Sequence, residues 1–467
     1  MRLPFRFPND LHLRRALIGS VVSLAAKLTT AGIGFGVTVL IARRFGATGS
    51  GIWALATTFL MIGGYVSLCG LDFSTTRAVS VYRTEERWSA IRAWTLTGLA
   101  ILGAVGAAVS LVAWACAGAL AKVFSEGPDF LQVLRIICLA VIPYSILRLV
   151  GGLLRGLRRF ALAEFLEGIF IPGSLAVVAF TVGFHSLPQL ATTYVGGAMV
   201  GAVAGLTVWF ILLGTKGRPA DPLLPREALT RSLPLAGTVL ALLASPWMMT
   251  LFLAKFATTA DVGVFRVCLQ FTLLLGFLLS AAETSLAPQF AALHSQHRLK
   301  ELLNSTKKMT LLMVVLGGAP ALVLVIFAGP ILSILGPEFP RGATALRILI
   351  FGQMVNLATG PVGGYMAMTG LERLSFRNAL VGTAIVAVFS AVLAPIYGIN
   401  GAAIAGASSA IYRNLALSVI IWRKHGLILP FGIARAAGGA PKPTAEAAAV
   451  AQPVVAPLLE PGGPTVD

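Results

Sequence analysis

Twelve stretches of about 20 mostly apolar residues run through this 467-residue chain, each long enough to cross the roughly 30 Å of hydrocarbon in a bilayer. They lie at about 16–42, 51–71, 93–116, 131–154, 161–183, 189–213, 232–254, 264–289, 309–333, 343–366, 378–398 and 401–422. Each run is continuously apolar rather than alternating with period two, which is the mark of a helix and not of a barrel strand. Lipid offers backbone N–H and C=O groups no partners, so such a chain must satisfy them within helices. The composition agrees. Hydrophobic residues make up 57% of the chain and charged ones 12%, against about a quarter charged in a soluble domain. The expected fold is an all-α polytopic membrane protein with 12 transmembrane helices.

A net charge of +18 would suit nucleic acid, so the positions of the 36 basic residues decide the matter. Alternate polar segments hold most of them: Arg2, Arg6, Arg14 and Arg15; Arg77, Arg83, Arg87 and Arg92; Arg155, Arg158 and Arg159; then corresponding groups through Arg423 and Lys424. The intervening segments hold only Arg43, Arg44, Lys122, Lys255 and Arg341. This asymmetry is the positive-inside pattern, and it absorbs the basicity without nucleic acid. It places both termini in the cytoplasm and the chain as a multi-pass protein of the cytoplasmic (inner) membrane. The basic start before the first run resembles a signal peptide, but eleven runs follow, so it reads as an uncleaved first transmembrane helix.

The chain also repeats itself. Gly51-Ile52-Trp53-Ala54-Leu55 is echoed by Gly263-Val264-Phe265-Arg266-Val267, and Val150-Gly151-Gly152 with Gly156-Leu157-Arg158-Arg159 by Val362-Gly363-Gly364 with Gly370-Leu371-Glu372-Arg373. The offset drifts from 212 to about 215 residues, as a duplicated unit would after small insertions. The expected division is an N-terminal six-helix lobe at 1–213, a cytoplasmic linker at 214–231, a C-terminal six-helix lobe at 232–425, and an Ala/Pro-rich disordered cytoplasmic tail at 426–467. With an even number of spans per half, the pseudo-two-fold runs along the membrane normal.

Several motifs resemble a known family. Ile41-Ala42-Arg43-Arg44-Phe45-Gly46, Gly49-Ser50-Gly51-Ile52-Trp53 and Cys69-Gly70-Leu71-Asp72 running to Thr76-Arg77 look like the first hairpin of polysaccharide-transport flippases. Asp261-Val262-Gly263-Val264-Phe265-Arg266, Ala287-Pro288, Ile334-Leu335-Gly336 and Tyr397-Gly398-Ile399-Asn400-Gly401-Ala402-Ala403 are similar to their second lobe. The resemblance covers roughly residues 12–425 and implies a Wzx-type O-antigen or exopolysaccharide flippase of the MOP superfamily, which also holds MATE exporters and lipid II flippases. It implies two lobes around a central cavity that moves a polyprenyl-diphosphate-linked oligosaccharide by alternating access. The lipid environment and a polysaccharide polymerase or export machinery are the implied partners.

A diphosphate cannot enter hydrocarbon unaided, since an isolated charge there costs tens of kcal/mol. Basic residues within spans cost about 2.5–3.5 kcal/mol each and need a reason. Lys27, Arg135, Arg148, Arg266, Arg347 and Arg413 are therefore the substrate-binding candidates. Lys27 and Arg413 lie deepest and are the leading anion anchors, with an internal ion pair as the alternative. Arg135, Arg266 and Arg347 lie near span ends, where snorkelling to the surface also accounts for them. Glu283, Glu164 and Glu167 are the ion-coupling candidates. Glu164 and Glu167, three apart on one helix face, alternatively compensate Arg158 and Arg159, and Glu283 alternatively pairs with a basic neighbour. Pro246 and Gly34, the latter with Gly32 and Gly36, are candidate hinges, with small-residue packing as the alternative for the glycines.

Other signals fade when weighed. Gly46-Ala47-Thr48-Gly49-Ser50-Gly51 mimics a phosphate loop, but no strand precedes it, so it reads as an interhelical turn. His294 and His297 read as a solvated face, and Cys69, Cys116, Cys138 and Cys268 as small apolar core residues. No metal, cofactor or catalytic residue is expected. Two rivals remain: a MATE-like small-molecule exporter, and an integral-membrane glycosyltransferase or ligase. Loops too short for a catalytic domain disfavour the second.

Overall fold

The computed structural model describes residues 11–124, 127–216, 225–276, 299–368, 371–425, 427–428 and 433–434. The first helix, α1 (Leu11–Leu68), holds the first two spans. Gly46 separates its two arms, at φ 66° and ψ −168°, a conformation that a side chain would strain. The Gly46–Gly51 segment is thus a one-residue interhelical break followed at once by helix. The second span continues as α2 (Leu71–Thr84) beyond a left-handed step at Cys69 and Gly70. The third is α3 (Trp88–Val123), whose 36 residues reach about 54 Å, so it projects beyond the hydrocarbon. The fourth is bent by 45° between α4 (Pro128–Cys138) and α5 (Val141–Gly156). The fifth comprises α6 (Phe160–Glu164), a π-turn at Phe165–Ile169 and α7 (Phe170–Thr181). The sixth is α8 (Leu187–Leu213).

The second lobe begins with α9 (Pro225–Phe256). This start lies inside the segment expected as linker, and proline's fixed φ suits a first helical position. Next come α10 (Thr259–Gly276), α11 (Leu299–Ile326) and the short α12 (Ala328–Ser333). A 3-10 turn (Phe339–Gly342) leads into α13 (Ala343–Thr359) and α14 (Val362–Met368), which form the tenth span. The last spans are α15 (Glu372–Tyr397) and α16 (Ile399–His425). A two-residue antiparallel bridge pairs β1 (Leu427–Ile428) with β2 (Ile433–Ala434). The protein is therefore an all-α polytopic membrane protein of 12 spans in two six-helix lobes related along the membrane normal. Residues 435–467, which include most of the expected tail, lie outside the described residues, as do Glu283, His294 and His297.

The lobes meet through the duplicated glycines. A Cβ on Gly51 would run into the Thr259 carbonyl oxygen, and one on Gly263 into that of Ala47. Ala47 and Thr259 are themselves 212 positions apart, as are Gly51 and Gly263. The contact is thus reciprocal: each copy's glycine seats the other copy's small residue, as in an isologous dimer interface and a small-xxx-small helix crossing. Two further bonds cross this seam. Glu338 Oε2 accepts from the Ala47 N–H at 3.0 Å, at the start of the second arm of α1, and Arg43 Nε donates to the Ile334 carbonyl at 3.0 Å.

We call this the distal face, and the one carrying Arg83, Arg87, Arg158 and Arg159 the basic face. In the distal half one continuous apolar core joins both lobes, including Ile41, Leu55, Phe130, Val264, Phe265 and Phe339. Toward the basic face the described core residues fall into two clusters. Trp94, Leu153 and Trp209 belong to a cluster in the first lobe, Leu302, Tyr365 and Ile421 to another in the second. Here the lobes meet where the foot of α9 rests on α2: Ser74 and Ser232 hydroxyls lie 2.6 Å apart, and Gly70 packs on Ser232 and Ala236.

Candidate functional site

The fourth and fifth spans build a charged cluster inside the first lobe. Four ionised groups share it: Asp72 from α2, Arg148 and Arg155 from α5, and Glu167 from the π-turn. A π-turn inserts an extra residue per turn and re-aims its side chains, and such turns recur at functional sites. Here it brings Glu167 against α5, where Arg155 holds it in a bidentate pair at 2.8 and 2.8 Å. The approach depends on Gly151, because a Cβ there would overlap the Glu167 carboxylate. On the other side of α5, Thr76 Oγ1 donates to the Gly152 carbonyl at 3.1 Å and fixes α2 alongside. The glycine pair of the sequence repeat thus lets two helices close on one arginine-bearing helix.

Arg148 is held differently. Its guanidinium lies 3.7 Å from Asp72 and 3.9 Å from Glu167, ion pairs without hydrogen-bond contact. Its Nε has no hydrogen-bond partner, and neither do the two carboxylate oxygens of Asp72, a residue only 2% exposed. The Arg148 side chain itself is 23% exposed. It lies over the Tyr65 ring, 4.9 Å from the centroid, a cation–π arrangement. Tyr65 in turn meets Trp247 of the opposite lobe, with ring centroids 5.8 Å apart. The cluster therefore lies beside a contact between the lobes, and it sets two acids against two arginines.

The second lobe contributes cations without that compensation. Arg413, half-buried on α16, packs its chain against Gly382 of α15, and its Nε has no partner. Arg266, half-buried on α10, has no ion pair or hydrogen bond among the described residues. Its neighbour Phe265 is fully buried and Gly263 sits in the lobe seam, so the helix is fixed on both sides of it.

The remaining candidates separate from these. Arg135 is exposed and stacks on Trp114 at 5.2 Å, beside exposed Leu111 and Val112. Arg347 is exposed and donates to the Val325 carbonyl at 2.9 Å, on a helix whose Leu322, Val323 and Ile326 are exposed. Both have the geometry of snorkelling side chains against apolar outer faces. Lys27 lies on α1 by its backbone; its side chain is outside the described residues. Glu167 is paired with Arg155 rather than with Arg158 or Arg159. Glu164 is also bonded. Gly32, Gly34 and Gly36 would meet nothing within 4 Å among the described residues if given a Cβ. Pro246 is exposed within α9, directly before Trp247, and its carbonyl accepts from Thr250 Oγ1 at 3.0 Å. Of the cysteines, Cys138 and Cys268 are buried, Cys69 is half-buried and Cys116 is exposed, contrary to the expectation of four core residues. No group of metal-ligating side chains forms among the described residues.

Sequence reasoning passed over Asp72, Arg155, Tyr65 and Trp247. Asp72 and Arg155 fall at the ends of apolar runs, where a charge reads as the start of a loop. The aromatic pair leaves no trace in sequence, since its members come from different lobes.

Two lobes of six spans define a multi-pass membrane protein, and solved members of the MOP superfamily share its fold. A MATE-family multidrug resistance transporter of the MOP superfamily, solved inward-facing, superposes with a TM-score of 0.70 at 13% identity over 86% of this chain and 97% of that one. Lipid II flippase MurJ in an inward closed conformation gives 0.68 at 12% identity over 86% and 87%. A MOP superfamily transporter from Pyrococcus furiosus gives 0.60 at 13% identity over 87% and 94%. No curated protein matches the chain significantly. The family model described as polysaccharide biosynthesis protein matches residues 16–294, and the chain belongs to that family. The MatE model matches residues 234–393.

Proposed function

We propose that the protein is a flippase that moves a polyprenyl-diphosphate-linked oligosaccharide across the cytoplasmic membrane by alternating access, in the building of a surface polysaccharide such as O-antigen or exopolysaccharide. The observation that carries this is the uncompensated positive charge of the second lobe: Arg266 and Arg413 sit half-buried in spans with no counter-ion among the described residues. A cation kept in a membrane without a partner has a ligand to meet or a cost of several kcal/mol to explain. A diphosphate meets it. Family membership and the MurJ-like fold support a lipid-linked cargo. In this reading both termini are cytoplasmic, a polymerase or export machinery takes the product, and Lys27 adds a cation from α1.

The MATE fold admits a second reading, export of organic cations, which the same charges oppose electrostatically. A glycosyltransferase or ligase would need an acid and base beside an acceptor site, and the acids of the described cluster are engaged with arginines. The test is complementation of a strain whose own flippase gene is deleted. The wild-type chain restores surface glycan, and Arg413→Ala and Arg266→Ala abolish it at normal membrane abundance. Full restoration by both variants contradicts the assignment.

A further inference from the structure

The two lobes do not offer the same chemistry. In the first, the described cluster sets Asp72 and Glu167 against Arg148 and Arg155, so the cluster itself has no net charge to attract an anion. What it offers is unmet hydrogen-bonding capacity beside aromatic rings: Arg148 makes no hydrogen bond to another described side chain, and its Nε has no partner at all. Tyr65 lies under the guanidinium, and Trp247 reaches across from the other lobe. All three are half-buried rather than sealed in a core. A donor fork, carboxylates that neutralise it, and two rings suit a neutral polyol: hydroxyls accept from the guanidinium while the C–H face of a sugar ring covers apolar aromatic surface. In the second lobe, Arg266 and Arg413 have no carboxylate partner among the described residues and suit an anion.

Resting on the flippase reading above, we propose that the cargo is held in a divided seat. The sugar next to the lipid docks on Arg148, Tyr65 and Trp247, and the diphosphate on Arg266 and Arg413. Because Trp247 belongs to the second lobe and Tyr65 to the first, the sugar subsite is complete only while the lobes are together along this stretch. Lobe separation at the basic face parts the two rings and opens the seat for loading or release.

The division is tested by the affinity of the purified full-length protein for farnesyl diphosphate and for the same lipid carrying one galactose, glucose or N-acetylglucosamine on its terminal phosphate. The wild type is expected to bind at least one sugar-bearing lipid about tenfold more tightly than the bare one. Trp247→Ala is expected to lose that gain while changing affinity for the bare lipid less than about twofold; Trp247→Phe retains part of the gain. Arg266→Gln and Arg413→Gln weaken both lipids alike. Retention of bare-lipid affinity serves as the folding control for the Trp247 variants. If those variants weaken bare lipid as much as sugar-bearing lipid, or leave both unchanged, or if no sugar improves wild-type binding, the divided seat is wrong while the flippase reading stands. A wild type that binds no diphosphate lipid removes both.

Discussion

Gly151 shows how a single absent methyl group positions a charge. The Glu167 carboxylate occupies the space a side chain would take, and from there it pairs with Arg155. Gly151→Ala is therefore expected to destabilise the first lobe by about 1–3 kcal/mol through overpacking. Removing the carboxylate is harsher. Glu167→Ala leaves Arg155 without its bidentate partner in a site 23% exposed, and breaking a buried pair in this way costs about 3 kcal/mol. Thermal unfolding in detergent checks both, with Glu167→Asp expected to recover part of the loss; an unchanged midpoint for Glu167→Ala would mean that the pair is ornamental. The glycine motif was legible in the sequence as a repeat, but its purpose was not. Nothing in residues 150–156 reveals that a carboxylate twelve residues further on is turned back by a π-turn, because that turn follows from packing rather than from local propensity. Arg135 and Arg347 were legible in the opposite sense: their nearness to span ends already favoured snorkelling, and they are found exposed against neighbouring helices.

At the scale of elements, the outer ends of the two lobes are joined by helices that cross without side chains between them. Gly51 and Gly263 each lie against the other copy's backbone. Leucine at either position is expected to force the crossing apart by a cost of about 1–3 kcal/mol, which shifts a two-state population by roughly 5- to 150-fold. Labelling of a reporter cysteine on the distal side of the seam, by an impermeant reagent, should rise accordingly. At the basic face, the Ser74 and Ser232 hydroxyls lie 2.6 Å apart, so cysteines there are within disulfide reach. Oxidation of a Ser74→Cys, Ser232→Cys pair is expected to stop transport and reduction to restore it; transport that continues when crosslinked would place the moving contact elsewhere. Pro246→Ala, beside Trp247, is expected to reduce the swing of α9, read as smaller differences in cysteine accessibility between loaded and empty protein. The spans themselves were legible from apolar length alone. Where one helix ends was not, because α2, α5 and α9 run on past their apolar windows and carry Asp72, Arg155 and Arg226 as helix residues.

For the whole molecule, the described apolar core that both lobes share in the distal half is expected to resist separation there. Among the described residues, interior charge is asymmetric: arginines are paired with acids in the first lobe, and Arg266 and Arg413 are without them in the second. The duplication could be read from a recurring glycine, and the even number of spans gave its axis. The touching of the two copies at that same glycine, with Ala47 and Thr259 as reciprocal partners, is a product of folding that no offset discloses. The central claim is that this interior carries a lipid-linked anionic glycan between leaflets. Purified protein in proteoliposomes, loaded with a fluorescent polyprenyl-diphosphate oligosaccharide and probed by an external quencher or lectin, tests it most directly. The wild type is predicted to equilibrate the lipid between leaflets and the Arg266→Ala, Arg413→Ala protein to leave it in place; equal rates for the two, or no transfer above protein-free vesicles by the wild type, would contradict the account.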